Sequence, residues 1–178
     1  MALFKPKIFF DFCILRSKID LMDRIDFALL EALQADARAS LAELGKTIGL
    51  SISATNERVK KLVASGAIRG WSVRLDARKL GYPVLAFVNV LIDRPENEPG
   101  FLDSIGAIEA VQECHHVTGE WNYMLKVRAR DPEDLEILIA QRIKTIRGVM
   151  RSYAMIALST AKDREYIPCV RPTAVAAE

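Results

Sequence analysis

A regular pattern sets in at Asp23. Ile25, Leu29, Ala32 and Leu33 recur at helical spacing, Phe27 and Leu30 widen the stripe, and it ends near "QADARAS". Ser40 precedes Glu43 at the spacing of a capping box, in which each side chain satisfies an orphan backbone donor, and Leu41, Leu44 and Ile48 form the stripe of a second helix. Gly49 ends it, because a residue without Cβ accepts the left-handed conformation that stops helices. Ser51 suits the cap of a third helix running to about Ser65, with Ile52, Val59, Leu62 and Val63 expected inward and Gly66 closing it. Short helices joined by a tight glycine turn predict a helix-turn-helix.

Beyond it the rhythm changes. "IRGWSVRLD" alternates Ile68, Trp71, Val73 and Leu75, as a short hairpin or wing would, and "ARKLGYP" is a linker punctuated by Gly81 and Pro83. "VLAFVNVLI" is a strand, "RPENEPG" a loop, and Phe101, Leu102, Ile105 and Ile108 mark a helix. "AVQECHHV" and "WNYMLKVRA" are strands joined at Thr118, Gly119 and Glu120. Asp131 and Pro132 open a further helix lined by Leu135, Leu138, Ile139, Ile143 and Ile146, and "VMRSYAMIAL" is the last strand. This is the βαββαβ order of a ferredoxin-like domain. The predicted fold class is α+β: an N-terminal winged helix-turn-helix over residues 22–75, a linker over 76–83 and a ferredoxin-like domain over 84–160. Residues 1–21 share no period with the helix that begins at Asp23 and are expected to be a disordered extension or to precede the true start, and 161–178 are a tail.

Two helices cover one face of such a sheet. Residues 84–92 are apolar on both faces apart from Asn89, and the last strand sets Val149, Tyr153 and Met155 opposite Met150, Ala154, Ile156 and Leu158. The uncovered face predicts a dimer formed by sheet-to-sheet packing.

The 178 residues, 51% hydrophobic and 27% charged, suffice for a sizeable core. A net charge of +2 is too small to imply a polyanion partner, so the placement of charge has to decide. Cys13, Cys114 and Cys169 are odd in number and widely spaced, which argues against a disulfide framework or zinc ribbon and for the reducing cytoplasm. "IFFDFCIL" is interrupted by Asp11 and falls well short of the roughly 20 apolar residues that span a bilayer. No small-residue cleavage site comes after it, so neither a membrane segment nor a secretory signal is expected.

On the third helix, with Val59 taken as the centre of the buried face, Ala54, Glu57 and Lys61 lie opposite and Ser53, Arg58 and Lys60 flank them. From Thr55 to Arg74 the basic residues Arg58, Lys60, Lys61, Arg69 and Arg74 meet one acid, Glu57. A solvated helix face is the plain alternative. The tight turn and the small polar end of the helix favour double-stranded DNA: Ser51, Ser53, Thr55 and Asn56 are sized to approach base edges, while Arg58, Lys60, Lys61 and Arg69 neutralise phosphates.

"HHVTGEWNYML" holds both histidines. Strand alternation points His115 and His116 to opposite faces, so they cannot share a metal, and Glu120 has no sequence partner for acid-base work. Neither a metal, a cofactor nor a catalytic residue is expected, and the chain does not read as an enzyme.

The segments "DRID", "LQADAR", "LAELGKTIGLS", "ERVKKL", "GAIRGW" and "VQECHHVTGEWNYMLKV" succeed one another so that residues 21–158 resemble the Lrp/AsnC (feast/famine) transcriptional regulators. The resemblance implies a helix-turn-helix near residues 41–60, an effector domain, dimers that assemble into octamers or other even-numbered rings, and control by a small molecule, usually an amino acid. A two-fold dimer presents its third helices to successive major grooves, so a pseudo-palindromic operator is expected. The resemblance also places the effector at the turn between the second and third strands, around Val117, Thr118, Gly119, Glu120, Trp121, Asn122 and Tyr123. Many members have aspartate where this chain has Asn122, so either Glu120 neutralises an α-ammonium or the ligand is bound in another way than is usual in the family. Trp121 reads equally as a core or interface residue. Two rival functions stay open: a ligand-independent architectural DNA-binding protein, and an amino-acid-sensing module without DNA affinity.

Overall fold

The computed structural model describes residues 22–169; the predicted extension with Cys13, and residues 170–178 of the predicted tail, lie outside the described residues. Helix α1 (Arg24–Ala35) is capped by Asp23, whose carboxylate accepts the Asp26 N–H at 2.9 Å while Asp26 accepts the Asp23 N–H at 3.1 Å. Helix α2 (Leu41–Ile48) starts at the Ser40/Glu43 capping box and ends at Gly49, where φ is 72°. Helix α3 (Ile52–Ala64) starts at Ser51, whose side chain accepts the Ala54 N–H at 3.3 Å.

Leu29, Leu33, Leu44 and Leu62 bury the faces these helices share. Each such side chain contributes about 1.5–3 kcal/mol by leaving water. The crossing of α2 and α3 is tight because Gly45 has no side chain: a Cβ there would stand 2.7 Å from the Leu50 carbonyl oxygen and 2.9 Å from Thr55 Oγ1.

Two expectations fail in this region. Ile52 and Val63 face solvent, being 57% and 46% exposed, because the buried stripe of α3 runs through Thr55 and Leu62 rather than being centred on Val59, and Ile52 lies at the open end of the helix. The hairpin or wing expected over "IRGWSVRLD" is absent: no described residue between α3 and the first strand of the sheet is in a strand, and Trp71, Val73 and Leu75 are exposed. Alternation alone makes no strand without a neighbour to accept its hydrogen bonds.

The chain divides into two compact units. Among the described residues the helical unit comprises 22–73 with 164–169, and the sheet unit is Arg74–Asp163. Within the helical unit, the Gln34 side-chain amide bonds both backbone groups of Ile167, donating to its carbonyl oxygen and accepting its N–H at 2.8 Å each, and Tyr166 donates to Glu31.

The sheet unit contains β1 (Val84–Ile92), a 3-10 turn (Pro95–Asn97), α4 (Glu98–Gly106), β2 (Val111–His116), β3 (Tyr123–Ala129), α5 (Pro132–Ile137) and β4 (Val149–Ile156). The strands are antiparallel in the order β2-β3-β1-β4. Ala86, Val88, Val90 and Ile92 of β1, with Leu125, Val127 and Ala129 of β3, pack beneath Phe101, Ile105, Leu135, Leu138 and Ile143. After α5 the helix widens into a π-helical turn (Leu138–Ile143), where Lys144 N–H reaches back five residues to Ile139 O, and this keeps Leu138 and Ile143 both buried.

A bulge alters the expected faces of β4. Pairing slips between Leu91 and Ile92, so Val149 opposes Ile92 on the core side, while Arg151, Tyr153 and Met155 oppose Leu91, Asn89 and Phe87 on the other. Val149 therefore does not share the face of Tyr153 and Met155, because the extra residue in a bulge inverts the alternation.

Candidate functional site

Two of the residues expected to meet DNA are committed elsewhere. Thr55 is fully buried, donates from Oγ1 to the Ser51 carbonyl at 2.9 Å and packs against Gly45, so it holds the turn and cannot read a base. Arg58 reaches back to α1, where Nη1 lies 2.7 Å from Asp26 Oδ1 and 2.8 Å from Asp23 Oδ2. Asp26 is only 2% exposed. Hydrogen bonding to Asp26 raises the Arg58 pKa further above its ordinary value; the Asp26 N–H, followed by Arg58, lowers that of Asp23. Arg58 ties α3 to α1 and is not a free phosphate contact.

The other expected residues stay accessible. Ser51 is exposed but its oxygen serves as the cap; Ser53, Lys61 and Arg69 are exposed and Asn56 is half-buried. Lys60 makes an exposed bond of 3.0 Å to Glu57, of a kind worth little in water. The first turn of α3 carries no acid, whereas those of α1 and α2 carry Asp26 and Glu43. Ile52, read from the sequence as core, is exposed beside Ser51 and Ser53.

The second cluster surrounds the turn between β2 and β3. His115 pairs with Glu113 at 3.1 Å on one face of the sheet, and His116 lies 5.1 Å, ring to ring, from Tyr123 on the other. The loop is closed by Val117 N–H to Asn122 O at 2.9 Å, and Gly119 at its tip has φ 108° with nothing within 4 Å of where a Cβ would stand.

The seven residues expected at the effector site divide. Thr118, Gly119 and Glu120 are exposed and Val117 is half-buried. Tyr123 belongs to the core: it is 3% exposed, its ring lies 5.0 Å from that of Phe101 and its hydroxyl donates to Glu98 at 3.1 Å. Burial above all, then the Glu98 carboxylate, pushes its pKa up to about 12. Asn122 is a clamp. Its Oδ1 accepts the Ile92 N–H at 2.8 Å and its own N–H donates to Val90 O at 3.0 Å, fastening the loop to the end of β1. A carboxylate oxygen at this position could accept the same bond, so the clamp calls for an acceptor and not for an amide.

Two β4 residues overlooked in the sequence join this cluster. Arg151 forms an ion pair with Glu120 and holds its guanidinium 4.7 Å from the centre of the Trp121 ring, while Tyr153 lies 6.3 Å from Trp121, the rings inclined by 24°. Alternation sets Arg151 and Tyr153 on one face, but nothing local announces that the loop reaches them across β1. Burial raises the pKa of the half-buried Cys114 thiol, which suits a packed residue rather than a nucleophile. Among the described residues no helix is long and apolar enough to cross a membrane.

Residues 22–63 match the model of the AsnC-type helix-turn-helix domain, and 85–167 that of the Lrp/AsnC ligand binding domain. The chain is 37% identical over 150 residues to the HTH-type transcriptional regulator LrpA of Mycobacterium tuberculosis, covering 83% of this chain and 97% of that protein. AsnC of E. coli superimposes with a TM-score of 0.77 at 29% identity, covering 82% of this chain and 98% of that one. The feast or famine regulatory protein of M. tuberculosis, solved with L-methionine, gives 0.76 at 36% identity, covering 82% and 97%. A helix-turn-helix followed by this four-stranded sheet, together with these matches, makes the chain a member of the Lrp/AsnC family of transcriptional regulators.

Proposed function

We propose that the protein is a sequence-specific DNA-binding regulator of transcription that works as a homodimer or a larger even-numbered ring and whose assembly or DNA affinity answers to an amino acid. The observation that carries the reading is the accessible end of α3, held on a crossing too tight for any side chain at Gly45. Asn56 suits a bidentate contact with adenine, Ser53 either base edge, and Ile52 a thymine methyl group. Lys60, Lys61 and Arg69 supply phosphate contacts, and a first turn without acid leaves the helix end attractive to anions. Thr55 and Arg58 are not in the contact set.

The effector reading is supported by the ligand-binding family model, the open loop at Gly119 and the L-methionine in a solved relative. Dimerisation is supported by the sheet face that carries Phe87, Leu91, Tyr153 and Met155, the last two exposed. The proposed compartment is the cytoplasm, and no catalytic step is proposed.

Fluorescence anisotropy on duplex from the region upstream of the gene, over a range of salt and with each of the twenty amino acids, tests the whole. Lys61→Gln should weaken binding to every duplex and reduce the log-log salt slope by about 0.9. Equal affinity for unrelated duplexes would instead favour an architectural role, and a complete lack of DNA affinity a sensing module. Sedimentation at micromolar concentration should show no monomer.

A further inference from the structure

A cleft of about 640 Å³ opens in the helical layer of the sheet unit, between α4 with the turn before it and the π-helical turn with the loop after it. It lies on the side of the sheet away from the face of Phe87, Tyr153 and Met155 proposed for dimerisation. Its size is that of a small-molecule site. The two walls differ in chemistry. One carries Gln141, Arg142 and Arg147, and among the described residues neither guanidinium has a partner within ion-pair or hydrogen-bonding distance, unlike those of Arg58, Arg130 and Arg151. The other wall offers acceptors. Asn97 directs its Nδ2 donor to Asp93 Oδ1 at 2.7 Å, and Ser104 its hydroxyl hydrogen to the Gly100 carbonyl at 2.7 Å, so the oxygen of each is left to accept, and Glu96 adds a carboxylate. The walls are fastened where they meet: the Asp93 N–H donates to Gly148 O at 2.9 Å, and Gly148, at φ 91°, packs so closely that a Cβ there would overlap the Asn97 side chain. The cleft is therefore shaped before a ligand arrives, which lowers the entropy that binding opposes. The π-helical turn that supplies Gln141 and Arg142 is itself a rare conformation, met most often at functional sites.

We propose that this cleft binds a small phosphate ester of a hydroxylated carbon skeleton, a nucleotide or a sugar phosphate, with the phosphate on Arg142 and Arg147 and the ligand hydroxyls on Asn97, Ser104 and Glu96. A guanidinium presents its donors in a plane that matches two phosphate oxygens, and two of them offset the nearly two negative charges of a phosphate monoester at neutral pH. The hydroxyls of such a ligand donate, which suits a wall of acceptors. Ile108 and Ile146 add an apolar surface for the rest of the skeleton. Two cations against the single acid Glu96 favour a ligand of net negative charge over a neutral zwitterion. The site shares no residue with the turn at Gly119 or with α3, so it stands apart from both the amino acid and the DNA of the reading above.

Calorimetry of the full chain at fixed salt, with AMP, glucose 6-phosphate, adenosine, glucose and inorganic phosphate as probes, tests the assignment. At least one of the two esters should bind. Its unphosphorylated counterpart and inorganic phosphate, each engaging one wall only, should bind at least about tenfold more weakly. AMP alone would mark a nucleotide site, and glucose 6-phosphate alone a sugar phosphate site. Arg142→Met and Arg147→Met should each weaken the ester by about tenfold, and Arg142→Lys and Arg147→Lys should recover part of the loss. Ser104→Ala should weaken the ester and leave inorganic phosphate unchanged. Arg142, Arg147 and Ser104 are exposed, so the variants should melt with the parent. Lys61→Gln, on the DNA-binding helix, should keep the parental affinity for the ester. Failure of both esters to bind at millimolar concentration would overturn the proposal. So would inorganic phosphate binding as tightly as the esters, which would reduce the cleft to an anion patch. An ester affinity that survives Arg142→Met/Arg147→Met, or that falls in Lys61→Gln, would place the phosphate elsewhere and overturn it as well.

Discussion

Replacing Arg58 by methionine distinguishes a structural arginine from a DNA contact. The substitution retains much of the side-chain length and removes the charge, leaving the 2%-exposed Asp26 without the donor that lies 2.7 Å from it. Removing one partner of a buried ion pair costs about 3–5 kcal/mol. The arm to Asp23, 52% exposed, adds less than about 1 kcal/mol. Arg58 itself is 27% exposed, so water can reach part of the space it vacates, which brings the expected loss to about 2–4 kcal/mol. For a unit this small, that lowers Tm by on the order of 10 °C or more. Calorimetry of the full chain measures the shift, and the double variant Asp26→Asn/Arg58→Met, which leaves no buried charge, should recover part of it. DNA anisotropy, measured where both proteins are folded, should give the parental salt slope for Arg58→Met and a slope lower by about 0.9 for Lys61→Gln. An unshifted Tm together with a reduced slope would show Arg58 on a phosphate and refute the reasoning.

Gly45→Ala should lose at least about 2 kcal/mol and weaken DNA binding, because the added methyl meets the Leu50 carbonyl at 2.7 Å; unchanged melting and affinity would show that the α2–α3 crossing has room to spare. Tyr123 supplies a pH test. Its folded-state pKa of about 12 lies above the ordinary value of about 10, so its contribution is complete below pH 10 and is lost as pH rises from about 10 to 12. Tyr123→Phe should flatten the fall of Tm through that window, at a neutral-pH loss of about 1 kcal/mol for the bond to Glu98, and an equally steep fall in the variant would assign the alkaline transition to another group. Asn122→Asp should keep the stability of the parent, since an oxygen still receives the Ile92 N–H, whereas Asn122→Ala should lose about 1–3 kcal/mol in chemical denaturation. Equal losses in the two variants would mean that the clamp depends on more than an acceptor.

The sequence by itself determined what short-range physics controls. The Ser40/Glu43 capping box, the stop at Gly49, the Ser51 cap and the opposite facing of His115 and His116 depend on residues a few positions apart, and so does the succession of helical and alternating periods behind βαββαβ. The family likeness came from the same motifs. Tertiary structure alone decided which polar residues are free. Arg58 finds Asp26 across 32 positions, Asn122 finds Ile92 across 30 and Arg151 finds Glu120 across 31. A cation on a helix reads the same in sequence whether it faces a phosphate or a buried carboxylate, and an asparagine in a loop the same whether it binds a ligand or a strand end. Chain topology brings the partner within hydrogen-bonding distance, and only then is the polar group committed to one of them.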